Sequence, residues 1–378
     1  MAKIKKLVIV LPSLEMGGAE RQALNLATYI HINRLADVEL WSLGPGQTVA
    51  QNAEKFGIPV SSVAFNPWLS KWNVGMQILS FAFKLFANKV EYLLPYVIYP
   101  NLLCCSAFKL AGVRRCFWQQ RDEGRDRGPV YLEKIALRFA DGFISNSTAG
   151  VSFLTGTLGV SSNRCHLIRN GVEVWQPQIT REAWRAHHGF GNDQILVSMV
   201  ANITKAKDHA TLLRAWKLLI DSNATSEFEP TLLLVGQHGN ASADVEKIIT
   251  DLGLAKSVQL LGAVEDISSH LNAIDLFVFS SRMEGCPNAV LEAMGAGLAV
   301  VASDIPGTRD ALGSDYPFLF EAGNELECAT MIKDLLSAPD TRASQGAKNK
   351  ARIESLFSLE RMCRETIEVV FESKPGLN

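Results

Sequence analysis

Short apolar runs alternate with segments of helical periodicity along almost the whole chain. In the first half the strand-like runs fall at 7–12, 38–43, 60–65, 96–99, 116–119, 142–145 and 166–169. Between them, residues 19–30, 49–56, 72–87, 102–110, 129–139 and 149–158 carry apolar positions three and four apart, the spacing of one helix face. The second half repeats the pattern, with strands at 195–200, 231–235, 258–261, 276–279, 298–302 and 318–320. Its helices are expected at 211–220, 245–252, 267–273, 289–294 and 326–336. Alternation of this kind predicts an α/β protein with parallel sheets covered on both faces. Two such series predict two doubly wound, Rossmann-like domains facing across a cleft, each with its binding crevice at the carboxyl ends of its strands.

The break between the series is expected at Asn170-Gly171-Val172, a turn signal followed by Pro177 and a polar stretch. That divides the chain into 1–172 and 173–356, with a last helical pattern at 359–371 that no strand follows. A length of 378 residues is too great for one compact core and suits two domains. The 37 basic and 39 acidic residues leave a net charge of −2, which makes no case for a nucleic-acid partner. Seven cysteines form no C-x-x-C pair and no Cys/His cluster, so neither a zinc site nor a disulfide framework is indicated. An odd count with Cys104 and Cys105 adjacent suits a reducing cytoplasm. Lys3, Lys5 and Lys6 before an apolar run look superficially like a signal peptide. The run is short, a glycine loop and Glu15 follow, and a first strand is the better reading. The long apolar region 74–113 is broken by Lys84, Lys89, Glu91, Pro95 and Pro100, so no transmembrane span is expected there.

The densest candidate chemistry lies at 284–297, Glu-Gly-Cys-Pro-Asn-Ala-Val-Leu-Glu-Ala-Met-Gly-Ala-Gly, between two apolar runs. Pro287 suits a first helical turn, Ala289 to Met294 are strong helix formers, and Gly295 and Gly297 end the helix. The stretch therefore reads as strand, loop, helix, strand, with Glu284 in the loop and Glu292 about one turn into the helix. The N–H groups of Asn288, Ala289 and Val290 are expected to favour an anion, and the two acids to accept hydrogen bonds from hydroxyls on either side of it. Taken singly each acid is an ordinary surface charge. Together, Glu-Gly-x-Pro-Asn-x-x-x-Glu-Ala-Met-x-x-Gly resembles the E-x7-E signature of the retaining glycosyltransferases of family 4, which have the GT-B fold.

The resemblance implies a retaining, metal-independent transfer of a sugar from a UDP- or GDP-sugar donor to the hydroxyl of a glycan or lipid-linked glycan. It implies that Glu292 holds the ribose, and that Glu284 with the backbone of Gly285, Cys286 and Asn288 holds the donor sugar. Met16-Gly17-Gly18-Ala19-Glu20-Arg21 follows the first strand and is usually just a tight turn. Gly-Gly-Ala-Glu recurs in the resembled family, however, where Gly17 and Gly18 would face the donor phosphates. The family usually places an arginine and, five residues on, a lysine on the diphosphate. Here Lys207 fills the lysine place and Asn202 the arginine place, a departure, with Lys205 as a nearby cation. Arg121, in a charged loop at a strand end, stands near where many members carry a histidine. Asn146 and Ser147 close another strand and carry less weight. No cofactor is implied, and no Asp-x-Asp pair offers a metal site. In this family the final helix, about 357–378, packs back on the first domain.

Trp68, Trp72, Met76, Leu79, Phe83 and Phe86 recur at near-helical spacing with Lys71, Lys84 and Lys89 nearby. Such a stripe is read first as core. A peripheral contact with the inner face of a membrane is the other expectation. Two rivals to the transferase reading are a sugar phosphorylase or epimerase on the same fold, and a non-catalytic nucleotide-sugar-binding partner.

Overall fold

A computed structural model describes residues 5–173, 176–222 and 229–372. The described chain forms two compact units. Unit 1 runs to Gly171 and takes in the chain again from Leu359, and unit 2 is Val172–Ser358.

Unit 1 is built from β1 (Lys6–Leu11), α1 (Gly18–Ile32), β2 (Asp37–Ser42), α2 (Thr48–Lys55), β3 (Val60–Ser62) and α3 (Lys71–Ala87). It continues with β4 (Tyr92–Pro95), α4 (Ile98–Ala107), β5 (Arg115–Gln120), α5 (Val130–Phe139), β6 (Gly142–Ser145), α6 (Thr148–Ser152) and β7 (Cys165–Leu167). All seven strands are parallel, in the order β3-β2-β1-β4-β5-β6-β7. Alternation along β1 sends Leu7, Ile9 and Leu11 to one face, where they pack with Ala23, Leu26 and Ile30 of α1. Val8 and Val10 go to the other face, with Val74 and Phe81 of α3, Leu102 of α4 and Leu132 of α5. Both faces are thus buried, as a parallel sheet requires.

Unit 2 holds α7 (Arg181–His187), β8 (Leu196–Val200), α8 (His209–Asp221), β9 (Thr231–Val235), α9 (Ser242–Asp251), β10 (Val258–Gly262) and α10 (Ile267–Ala273). Next come β11 (Leu276–Phe279), α11 (Asn288–Gly295), β12 (Val300–Ser303), α12 (Pro306–Leu312), β13 (Leu319–Phe320), α13 (Glu325–Ser337) and α14 (Pro339–Leu356). Its six parallel strands run β10-β9-β8-β11-β12-β13. The last helix, α15 (Leu359–Ile367), belongs to unit 1, where Met362 and Cys363 join the core on the α1 side. Residues 373–378 of the expected final helix lie outside the described residues, as does Lys3.

The architecture is the α/β one the pattern predicts, and three local expectations change. The strand expected at 96–99 lies instead at Tyr92–Pro95, and Ile98 already opens α4. Pro100 does not break that helix because it sits in the first turn, where a missing N–H costs nothing. Helices α7, α12 and α14 were not signalled by periodicity. Two of them open on a proline, and the 18-residue α14 buries only Gly346, Asn349 and Ile353. Finally, the aromatic stripe is not core. On α3 the buried line is Val74, Phe81, Ala82 and Leu85, whereas Trp72 is 78% exposed and Phe83 72%.

Candidate active site

In unit 2 the strand order reverses between β8 and β11, because successive connections from β8 run toward β10 and those from β11 run toward β13. Ligands of doubly wound sheets bind outside the carboxyl ends of the strands at such a reversal. The two loops that leave these strands are laced together. Asp208 N–H donates to the Ser280 carbonyl at 3.1 Å, and the Ser280 hydroxyl donates back to the Asp208 carbonyl at 2.8 Å. Asp208 caps α8 through Thr211 N–H at 3.3 Å, and its other oxygen takes the Thr211 hydroxyl at 2.8 Å and Arg282 Nε at 3.1 Å. Into this frame project Lys207 and Glu284, which form a direct ion pair. Glu284 Oε1 also lies 2.8 Å from the Ser281 hydroxyl, and the Lys207 ammonium sits 5.0 Å from the Phe279 ring centroid. His209 Nδ1 donates to the Lys207 carbonyl at 2.9 Å. Its imidazole is buried, so desolvation holds its pKa below 6.5 and the ring stays neutral.

A third segment closes on the same loop. A Cβ on Gly307, in the first turn of α12, would stand 2.5 Å from the Glu284 carbonyl oxygen and 2.6 Å from that of Gly285. Only glycine lets the backbones approach that closely. Gly285, Cys286 and Pro287 are buried beneath this contact, while Asn288, Ala289 and Glu292 on α11 are half-buried. Pro287 is the residue before the helix, not its first member. Its carbonyl accepts from Val290 N–H at 3.1 Å and Leu291 N–H at 3.2 Å. The N–H of Val290, expected to point at an anion, is therefore used inside the first turn. Asn202 does not stand in for a cation either. It is exposed, and its Oδ1 accepts from Gln237 N–H at 3.1 Å, bracing the loop after β9. Lys205 is exposed.

Unit 1 has its own reversal, between β1 and β4. Gly17 precedes α1 in an extended conformation and Gly18 opens the helix. Burial raises the Glu20 carboxyl pKa above 4.5, opposed by the N–H groups of Glu20 and Gly17 and by the charge of Arg121. A Cβ on Gly17 would meet Glu20 Oε2 at 2.4 Å, so this helix start already carries its own carboxylate. Val97, between β4 and α4, has φ 63° and ψ −178°, backbone that β-branched residues avoid. Arg121 donates to Asn170 Oδ1 at 2.6 Å and lies 5.1 Å from the Tyr96 ring centroid. Burial pushes the Tyr96 hydroxyl up to about 12. Asn146 Nδ2 reaches the same Asn170 oxygen at 3.2 Å, and its own Oδ1 is buried without a hydrogen-bond partner. Gln22 grips Gly171 at both its N–H and its carbonyl, at 3.1 and 2.8 Å. A small pocket in unit 1 is lined by Val97, Gln119, Arg121, Arg127, Glu133 and Phe153 among others. There Glu133 is buried, which pushes its pKa up, but its fork to Arg127 and the Gly128 N–H outweigh burial and lower it.

The structure thus brings Lys207 and Glu284 together beside the start of α11, and it places Gly17, Gly18 and Arg121 in unit 1. Asp208, His209, Ser281, Arg282 and Gly307 escaped the sequence reading. Of these, Asp208 carries a signal that could have found it, an aspartate placed to cap the helical pattern that follows.

Residues 180–352 match the family model described as glycosyl transferases group 1. This part of the chain resembles the group 1 glycosyltransferases. A transferase from Campylobacter jejuni, N-acetylgalactosamine-N,N'-diacetylbacillosaminyl-diphospho-undecaprenol 4-alpha-N-acetylgalactosaminyltransferase, is 24% identical over 241 residues, 63% of this chain and 62% of its own. The capsular polysaccharide biosynthesis glycosyltransferase CapM of Staphylococcus aureus is 24% identical over 60% of each chain. The chain therefore spans about three fifths of the length of these relatives. Among solved structures, HepE of Anabaena in complex with UDP and glucose has a TM-score of 0.82 at 20% identity, over 97% of this chain and 99% of that one. A glycosyltransferase from Rickettsia africae gives 0.82 at 19% identity, over 98% of each. The fold is that of the GT-B glycosyltransferases. The matched residues include Asn202, Lys207 and the whole stretch from Glu284 to Glu292, whereas Gly17, Gly18 and Arg121 lie outside them.

Proposed function

We propose that the protein is a retaining glycosyltransferase. It moves a sugar from a UDP- or GDP-sugar to a hydroxyl of a glycan or lipid-linked glycan, in polysaccharide or glycolipid synthesis at the cytoplasmic side of a membrane. The observation that carries the reading is the Lys207–Glu284 pair at the β8/β11 reversal, beside the start of α11. The Lys207 ammonium has three N–H donors and about a quarter of its side chain is open to solvent. In this reading it and the first N–H groups of α11 hold the diphosphate, Glu292 takes the ribose hydroxyls, and Glu284 with the Gly285 and Cys286 backbone takes the sugar. The bond from the anomeric carbon to the phosphate oxygen breaks as the acceptor oxygen bonds on the same face. The departing phosphate oxygen takes the acceptor proton. Negative charge grows on that phosphate, and a cation fixed beforehand stabilises it without reorganisation. Glu284 keeps Lys207 fixed. No metal is assigned a part. Unit 1 supplies the acceptor side, with Gly17, Gly18 and Arg121 as the residues to test. The relatives' printed substrates, a diphospho-undecaprenol glycan among them, support a lipid-linked acceptor.

Calorimetry against UDP, GDP and ADP is the test. One of them, at about a hundredfold its Kd, should stabilise the fold by roughly 2.7 kcal/mol. Glu292→Ala should weaken that binding by about 1.5–3 kcal/mol, the worth of a charge-assisted hydrogen bond. Glu284→Ala, which acts on the diphosphate only through Lys207, should change diphosphate affinity less than Glu292→Ala does and should abolish sugar transfer. If no nucleoside diphosphate binds, the reading fails. Binding without transfer or donor hydrolysis across an acceptor panel would make the protein a nucleotide-sugar-binding partner, and consumption of phosphate would make it a phosphorylase.

A further inference from the structure

Helix α3 is apolar on two sides. Its buried line holds it to the sheet of unit 1, and a second line, Trp72, Met76, Leu79, Phe83 and Phe86, faces away along its whole length. Steps of four and three residues keep these five side chains on one stripe. Trp68 and Leu69 extend it before the helix. The start of α5 adjoins it, since the Lys71 ammonium lies 5.2 Å from the Tyr131 ring centroid, and α5 adds exposed Val130, Ile135 and Phe139. Apolar surface this extensive and contiguous marks a contact with something else.

The charges around the stripe say what that is. Helix α3 carries no acid. Lys71, Lys134 and Arg138 are exposed on this layer, and the acids beside it are already held, Glu133 by Arg127 at 2.6 Å and Asp141 by Lys109 at 3.0 Å. No helix among the described residues is long and apolar enough to cross a membrane. An exposed Trp and Phe stripe rimmed by cations, lying along its helix, suits the headgroup layer of an anionic bilayer. We propose that the outer face of α3 and α5 docks unit 1 on an anionic lipid surface. The proposal takes its biological purpose from the lipid-linked acceptor above, but the face and its test are independent of turnover.

The experiment is cosedimentation of the full chain with vesicles of phosphatidylcholine alone, or of phosphatidylcholine mixed with phosphatidylglycerol, at low and high salt. The protein should bind the mixed vesicles, with high salt and pure phosphatidylcholine each weakening attachment by about tenfold or more. Trp72→Ser with Phe83→Ser should weaken it at least about tenfold. Both side chains are exposed, so the melting temperature should hold. Lys134→Glu, a reversal of charge at an exposed position, should weaken binding to the mixed vesicles by about fivefold or more. Failure of the native chain to bind any vesicle overturns the proposal, as does binding that none of these changes weakens. A concentration-dependent dimer, broken by the Trp72 and Phe83 changes and without vesicle binding, would assign the face to a second copy and equally overturn it. Nucleoside diphosphate binding measured on the same sample separates the two readings, because either can fail while the other stands.

Discussion

The two strand-order reversals of this chain solve the same geometric problem with different means. At β8/β11 the loops are tied by charge and backbone, through the Lys207–Glu284 pair, Asp208 and the passage of Gly307 against two carbonyls. At β1/β4 the helix start is occupied by the chain's own Glu20, the backbone is strained at Val97, and Arg121 is spent on Asn170 and Tyr96. The first holds its cation in an ion pair that leaves about a quarter of the Lys207 side chain open to solvent. The second is a strained corner whose cation is bonded to Asn170 and lies over the Tyr96 ring. Equal topology therefore does not mean equal chemistry, and we propose unit 2 as the place for the diphosphate.

The sharpest way to break that comparison is to remove the cation. Lys207→Ala should lower kcat/KM at least about a hundredfold, as losing one strong transition-state contact does. Because Glu284 holds Lys207, the losses from Lys207→Ala and Glu284→Ala should be far from additive in the double variant. Arg121→Ala should chiefly lower the melting temperature of unit 1. If steady-state kinetics find Arg121→Ala the more damaging to turnover, the seat of the diphosphate has been assigned to the wrong unit.

Next in size is the contrast between two glycines. Gly307→Ala drives a methyl into the carbonyls of Glu284 and Gly285 and should cost about 1–3 kcal/mol of stability. Gly17→Ala meets only the end of the Glu20 side chain, which can swing away, and should cost less. Chemical denaturation of the two variants ranks them, and the reverse order would mean that the β11–α11 loop yields more readily than its contacts imply.

Strain at Val97 gives a third, smaller effect of opposite sign. Val97→Gly should stabilise unit 1 by about 1 kcal/mol, the relief of backbone strain exceeding the added chain entropy. Activity should fall if the strain shapes the pocket. A variant that melts lower would remove strain from the account of this corner.

The smallest effect is a pH dependence. Burial raises the Glu20 pKa above 4.5, so the stability linked to its neutral form is complete below that pH and is lost as pH rises through the folded value. Glu20→Gln should therefore melt above the native chain at neutral pH, with the difference vanishing on acidification below 4.5. A difference that grows on acidification would contradict burial as the dominant influence on this carboxyl.

Much of the molecule was legible before the fold was known. Both α/β series, the loop-to-helix turn at Glu284–Glu292 and the break near Gly171 follow from periodicity, helix formers and turn residues, which act within a few positions of one another. What was not legible follows from contacts that local pattern does not encode. Glu284 meets Lys207 across 77 residues only because β8 and β11 are neighbours in the sheet. Gly307 is indispensable only because another loop passes over it. The stripe on α3 has the spacing of a buried face, and periodicity alone could not say which of two apolar sides turns inward. That choice is made by the sheet, which takes Val74, Phe81 and Leu85 and leaves Trp72 and Phe83 in water. The sequence by itself determined which segments become strands and helices, because those preferences are local. Which loops share a site, and which apolar face stays open, was decided by strand order and packing between residues far apart along the chain.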